Sequence, residues 1–306
     1  MARHAFRLCF AVSFLAAFNT TGFSQQPEKA GPKVMKAVNV SAVNTAADED
    51  DPYITRDARR LLYVSNAEKH WTMMLSERRR NDQSWKWTSG STLEGPNTEI
   101  DNRSPYLTPD NHDLYYAAKT EVPQGDPTPA NYDIAKSIRL VKMTQFTAST
   151  FVQAVCTPEE EMHPWLSEDG LELYFSRKTK EGWRVFVSKR ASAKAAFGEP
   201  KPVEELPAGF HNVTINRAGM TMYLQGPLEN NRWGLFRCVR FDRKKPWGNP
   251  EELINVNQPE APTGDTSPCV SADNSELYFS SDRPGGKGGK DIWMVRTDLV
   301  VTKKAK

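Results

Sequence analysis

Short apolar runs alternate with polar, turn-forming clusters along most of this chain, and the alternation repeats. Five segments align on one anchor position, occupied by Pro52, Pro105, Pro164, Val213 and Pro268. Three residues past each anchor stands a small polar residue: Thr55, Thr108, Ser167, Asn216 and Ser271. Two further on come Asp57, Asp110, Asp169 and Asp273, with Ala218 as the exception. Nine and eleven past the anchor lie large apolar residues: Leu61 and Tyr63, Leu114 and Tyr116, Leu173 and Phe175, Met222 and Leu224, Leu277 and Phe279. The pattern predicts a short first strand, a tight turn in which Asp or Asn bonds its own backbone, and a second strand rich in aromatic and aliphatic side chains. Third strands are predicted over 71–75, 134–141, 183–188, 233–239 and 291–296, and fourth strands over 85–93, 146–155, 197–206 and 247–256.

Four antiparallel strands in a unit of roughly fifty residues, repeated in tandem, predict an all-β fold, a five-bladed β-propeller. The fifth unit lacks a fourth strand of its own. Pro32–Asn39 matches Pro200–Leu206 in spacing, so the N-terminal strand is expected to complete the last blade and close the ring, removing an exposed edge. The expected organisation is a signal peptide over 1–24, a flexible lead over 25–31, the propeller over 32–301 and a basic tail over 302–306.

The leader follows from Arg3, His4 and Arg7, the apolar run Leu8–Phe18 and the small or polar exit through Ser24. It implies a periplasmic or secreted protein. No other stretch is long and apolar enough to span a bilayer. With 40 basic and 38 acidic residues in 306, there is no concentrated basic field of the kind nucleic acid requires. Cys156, Cys238 and Cys269 are widely spaced and odd in number, which fits neither a disulfide framework nor a zinc pattern; they read as small buried residues with their redox state open.

SPCVSADNSELYFSSDRPGGKGGKDIWMV, starting at Ser267, resembles the WD40-like propeller repeat of the TolB type found in exported bacterial proteins. HPWLSEDGLELYFSRKTKEGWRVFVSKR, starting at His163, looks like a second copy. The resemblance covers roughly 32–298 and is degenerate in the first, second and fourth units. It implies a periplasmic or secreted propeller that acts as a binding platform, and it supplies no catalytic residues.

Loops entering the first strands and leaving the second strands must share one face of a propeller. That face gathers the ligand-binding candidates Asp48, Glu49, Asp51, Asp101, Glu160, Glu161, His163, His211 and Asp265 around the channel mouth. A ring of acids would attract a cation, a basic peptide or sugar hydroxyls. The competing expectation is that these acids cap turns and pair with Lys119, Arg177, Lys178 and Arg283. No cofactor motif is present, and no ligand spacing defines a metal. RPGGKGGKD over 283–291 lacks the Ser/Thr and the helix of a phosphate loop and reads as a hairpin. The Pro-rich loop 117–132 is a second candidate site, while the recurrence of Trp71, Trp183, Trp233 and Trp293 argues for core. The expected function is non-catalytic binding of a protein or cell-envelope glycan by a monomer, against a glycan-active hydrolase using two rim carboxylates.

Overall fold

The computed structural model describes residues 36–81, 84–120, 130–139 and 145–304. The expected leader and lead, residues 32–35 of the closing strand and most of the loop 117–132 lie outside them. Five antiparallel sheets follow one another as blades. Blade 1 runs Glu49–Ile54, Arg60–Ser65, Thr72–Asn81 and Ser91–Thr92; blade 2 runs Asn102–Leu107, Asp113–Lys119, Tyr132–Ile138 and Thr150–Phe151. Blade 3 comprises Glu161–Leu166, Glu172–Thr179, Gly182–Lys189 and Lys201–Pro202, and blade 4 His211–Ile215, Thr221–Pro227, Trp233–Val239 and Glu251–Glu252. In blade 5, Asp265–Val270, Glu276–Ser281 and Asp291–Arg296 are joined by Val38–Asn39 from the other end of the chain.

The second strands are buried on both faces. Leu61, Leu62 and Tyr63, and their counterparts through Leu277, Tyr278 and Phe279, are all nearly inaccessible, because each blade stacks against two neighbours. The turn after each inner strand is built as its sequence suggests. Thr55, Thr108, Ser167 and Ser271 donate their hydroxyls to Asp57, Asp110, Asp169 and Asp273 at 2.6–2.7 Å. In blade 4, where Ala218 replaces the acid, Asn216 Oδ1 instead accepts the amides of Met220 and Thr221, both at 3.1 Å, and the turn survives.

The outer strands differ from what the spacing predicts. The fourth strands are only two residues long, and the residues that end the expected segments, Leu93, Val155, Leu206 and Val256, are buried beyond them. Blade 1 also carries an extra ribbon, Ser84–Trp87 paired with the end of Thr72–Asn81. Within the basic tail, Lys303–Lys304 adds a fifth strand to blade 4, opposite Glu252 and Glu251.

The closing strand forms, but five residues out of the expected register. Val38–Asn39 occupies the place of Lys201–Pro202, so Val40 matches Val203 rather than Val38 matching Leu206. The amides of Val40, Leu93, Val152, Val203 and Leu253 each donate to the third strand of their blade, at Ile292, Met73, Ile134, Val185 and Leu235. Four residues later stand Asn44, Asn97, Cys156, Pro207 and Asn257. The three asparagines clamp that same third-strand peptide: Asn44 Oδ1 accepts Ile292 N at 2.9 Å while its Nδ2 donates to Ile292 O at 3.0 Å. Asn97 and Asn257 repeat the clamp on Met73 and Leu235. This buried clamp sets the register, and the surface Pro-Lys match does not.

Asn44→Ala would leave the buried amide and carbonyl of Ile292 with one partner fewer each at the ring's seam. It should cost about 2–3 kcal/mol in urea or guanidinium unfolding, whereas Asn39→Ala at the half-buried edge should cost well under half of that.

Candidate functional site

Each inner strand carries a bulge at the residue before its anchor. Asp51, Ser104, His163, Asn212 and Ser267 all have left-handed backbone, with φ between 50° and 56°, and the ladder register shifts across each of them. A bulge re-aims its side chain, and here five are re-aimed onto the channel axis. They line a cavity of about 40 Å³ with the anchor residues and Tyr53, Tyr106, Trp165, Thr214 and Cys269. That space suits one or two waters. A five-fold polar plug therefore closes the channel.

The plug is held by charge. Asp51 Oδ2 accepts from Ser104 N, Ser104 Oγ and Arg103 Nε, each at 3.1 Å, and Asp51 Oδ1 accepts Ser267 Oγ at 3.1 Å. Asp50 takes Arg103 at 2.7 Å and Lys290 at 3.3 Å. Burial opposes ionisation of Asp50, but Lys290 and Arg103 outweigh it and hold its carboxyl well below the usual range. Burial dominates at Asp51 and, despite Arg103, raises its pKa. His163 and His211, whose rings lie 5.8 Å apart, are both held neutral. Burial, then Arg103, brings His163 down to about 3; burial, then the neighbouring His163, does the same to His211. Gln225 Nε2 lies 2.8 Å from His211 Nε2, while His163 Nδ1 has no partner among the described residues.

The remaining candidates divide by position. Glu49, Glu161 and Asp265 open their inner strands three residues before the anchor, fully buried beneath the entry loops. Glu161 accepts Thr157 N and Oγ1 and Arg177 Nε, at 2.9, 2.5 and 2.7 Å, yet burial still lifts its pKa to about 7. Glu49 is tied to Thr45 and Ser65, and burial raises it too. Asp265 holds Gln258 N at 2.7 Å and Arg283 at 2.6 Å. Asp48 accepts Lys290 N and Asn66 Nδ2, joining the 283–291 hairpin to blade 1. A Cβ at Gly288 in that hairpin would come within 1.8 Å of Ala47 O, so glycine is there for close approach. Asp101 is bonded to Trp71 N, Lys119 and Tyr132, and these bonds outweigh burial to lower its pKa. Glu160 lies 3.4 Å from Lys178. All four ion pairs expected from sequence are thus formed, with Lys119, Arg177, Lys178 and Arg283.

The entry face does bring these loops together, since Asn66, Lys119 and Lys178 donate their amides to Asp48, Asp101 and Glu160. Its most distinctive side chains, however, are aromatic. Trp71, Tyr132, Trp183 and Trp233 occupy one equivalent position, at or just before the start of the third strand, and Lys290 fills it in blade 5. All are half-buried, not core as their recurrence suggested; only Trp293, three positions further on, is core. His211 stacks on Trp183 at 5.3 Å and meets Trp233 edge-on at 4.9 Å; the Arg103 guanidinium lies 4.3 Å over Trp71. Lys119 and Lys178 approach Tyr132 and Trp183 at about 6 Å. Sequence reading did not single out Arg103, Lys290, Gln225 or Tyr132, and it assigned Trp71, Trp183 and Trp233 to the core. The available signal was the polar residue before every anchor, with one aromatic position shared by four units.

No model of a known protein family matches the chain, and no curated protein matches it by sequence. Solved structures match its fold. A GH62 hydrolase in complex with xylotriose aligns over 86% of this chain and 97% of its own, at 9% identity and TM-score 0.57. An α-L-arabinofuranosidase from Podospora anserina aligns over 87% and 97%, at 10% identity and TM-score 0.55. TolB from Acinetobacter baumannii aligns over 84% of this chain at 14% identity and TM-score 0.48; the chain spans 56% of TolB's length. At such identities the likeness is one of architecture, and it places this chain among β-propellers.

Proposed function

We propose that the protein is an exported, non-catalytic binding module that takes a protein segment or cell-envelope glycan at the entry-face mouth. The observation that carries this reading is the set of half-buried aromatics Trp71, Tyr132, Trp183 and Trp233 around one rim. Flat rings fixed by a stacked histidine or arginine offer contact area at little entropic cost, as in binding hot spots. Asp101, Glu160 and Asp48 supply polar acceptors at the rim, while Asp51, His163 and His211 form the floor. Glu49, Glu161 and Asp265 act from beneath by fixing the loops. The basic start and apolar run of the N-terminus support export, and among the described residues no helix is long and apolar enough to cross a membrane.

Hydrolysis by rim carboxylates is less well supported. A glycosidase needs two carboxyls facing a sugar across a defined gap. Asp50 and Asp51 are instead sequential, engaged on all four oxygens, and bordered by a cavity of about 40 Å³.

Trp183→Ala and Trp71→Ala should each weaken retention on immobilised envelope glycans or envelope proteins by about tenfold or more. Asp101→Ala and Glu160→Ala should weaken it less. Retention indifferent to all four substitutions would remove the mouth as the site, and release of reducing sugar from a glycan panel would favour the hydrolase.

The neutral histidines predict a pH signature. Their folded-state pKa is lowered from 6.5 to about 3, so the unfolded chain takes up protons first as pH falls through 6.5. Stability is lost below that point, by about 2 kcal/mol per histidine at about pH 5. Glu161 acts oppositely: with its folded pKa raised to about 7, it contributes stability fully present below the unfolded value of 4.5 and lost as pH rises through about 7. The comparison to make is therefore differential. The melting temperature of His163→Gln/His211→Gln should fall less between pH 7 and 5 than that of the parent; parallel curves would rule out a neutral pair.

A further inference from the structure

Blades 3 and 4 join their third and fourth strands by loops of one design, on the face opposite the mouth. Arg190 and Arg240 begin them, donating Nε to Gly170 O at 2.6 Å and to Gly219 O at 2.7 Å. Seven residues later, Phe197 and Trp247 receive the same two guanidinium groups on their faces, at 4.4 and 4.0 Å. Ala195 N bonds Ser192 O as Lys245 N bonds Asp242 O, both at 3.0 Å; Gly198 N bonds Lys189 O at 2.9 Å as Gly248 N bonds Val239 O at 3.0 Å.

The backbones agree while the tips differ. After its arginine the blade 3 loop reads Ala191-Ser192-Ala193-Lys194-Ala195-Ala196, and the blade 4 loop Phe241-Asp242-Arg243-Lys244-Lys245-Pro246. Phe241 is 95% exposed. Ala191 shows that the loop closes without a phenyl ring, so folding does not account for Phe241. The tip is also rigidly presented. Arg243 donates Nε to Ala218 O at 2.8 Å and Nη2 to Arg217 O at 2.9 Å, and Asp242 Oδ1 accepts Lys244 N at 2.8 Å. Little conformational freedom remains for a partner to remove.

We propose that this loop is a contact for an anionic lipid surface, with Phe241 entering the headgroup boundary and Arg243, Lys244 and Lys245 meeting lipid phosphates. A lone phenyl followed by one carboxylate, Asp242, and three cations lacks the apolar core of a protein interface, where lysine is depleted. It has the make-up of a peripheral membrane contact, in which one apolar anchor adds to diffuse attraction for negative headgroups. The loop lies opposite the aromatic mouth, so seating it on a membrane turns the mouth outward.

Co-sedimentation of the purified protein with vesicles tests this. Binding should occur with vesicles of phosphatidylcholine and phosphatidylglycerol, be absent with phosphatidylcholine alone, and fall as salt is added. Phe241→Ala recreates the blade 3 tip, so it should keep the parent melting temperature while lowering partition about tenfold. Lys244→Ala/Lys245→Ala should lower it by a similar factor. The proposal is overturned by failure to bind anionic vesicles, or by binding that both variants retain. It is equally overturned if Phe241→Ala leaves partition unchanged while the lysine variant abolishes it, which indicates charge without insertion. A protein partner lost on Phe241→Ala, with vesicles ignored by the parent, would assign the loop to protein docking.

Discussion

Five inner strands converge on one axis, and the space where they meet must be filled without stranding polar backbone or charge. The chain solves this with a bulge at the same position in every blade. Asp51, Ser104, His163, Asn212 and Ser267 leave the ladder and point inward, where Asp50 and Asp51 are balanced by Arg103 and Lys290. Burying that many charges is tolerable only because each carboxylate oxygen has a donor. Arg103 comes from blade 2, Lys290 from blade 5 and Ser267 from blade 5, so the network also staples non-adjacent parts of the sequence across blade 1.

A second constraint acts at the rim of the ring. A propeller built from one chain has a seam, and an unsealed seam is an open sheet edge. Val38–Asn39 covers it with two ladder positions, and Asn44 adds a side-chain clamp on the Ile292 peptide. The same clamp recurs at Asn97 and Asn257, so the seam is held as blades 1 and 4 are. Where blade 2 has Cys156 instead, burial pushes the thiol up to about 12, which keeps it a protonated, weak donor toward Ile134 and Val152.

The repeats make the exceptions informative. Lys290 stands where the other four blades have an aromatic, and it serves the plug rather than the rim. Ala218 stands where four turns have an aspartate, and the carbonyls of Arg217 and Ala218 there anchor Arg243. Phe241 stands where blade 3 has Ala191. Each departure leaves the local fold intact, which separates what the blade requires from what this particular blade adds.

The sequence by itself determined the fold class, the number of blades, the turn chemistry and the closure of the last blade by the N-terminal strand. These depend on periodic burial and on hydrogen bonds within a few residues, and both are written in spacing. It also anticipated the ion pairs of Lys119, Arg177, Lys178 and Arg283, since the two loops involved follow from strand direction alone. Only the tertiary structure decided the five-residue shift of the closing strand, because Asn44 finds Ile292 across 248 positions of chain. It alone separated Trp71, Trp183 and Trp233 at the mouth from Trp293 in the core, a matter of a three-residue offset that reverses which way a strand's side chain faces. And it alone decided between free and paired acids, setting Glu49, Glu161 and Asp265 as buried supports beneath the aromatic rim, since whether a carboxylate is available depends on which donors the neighbouring loops bring to it.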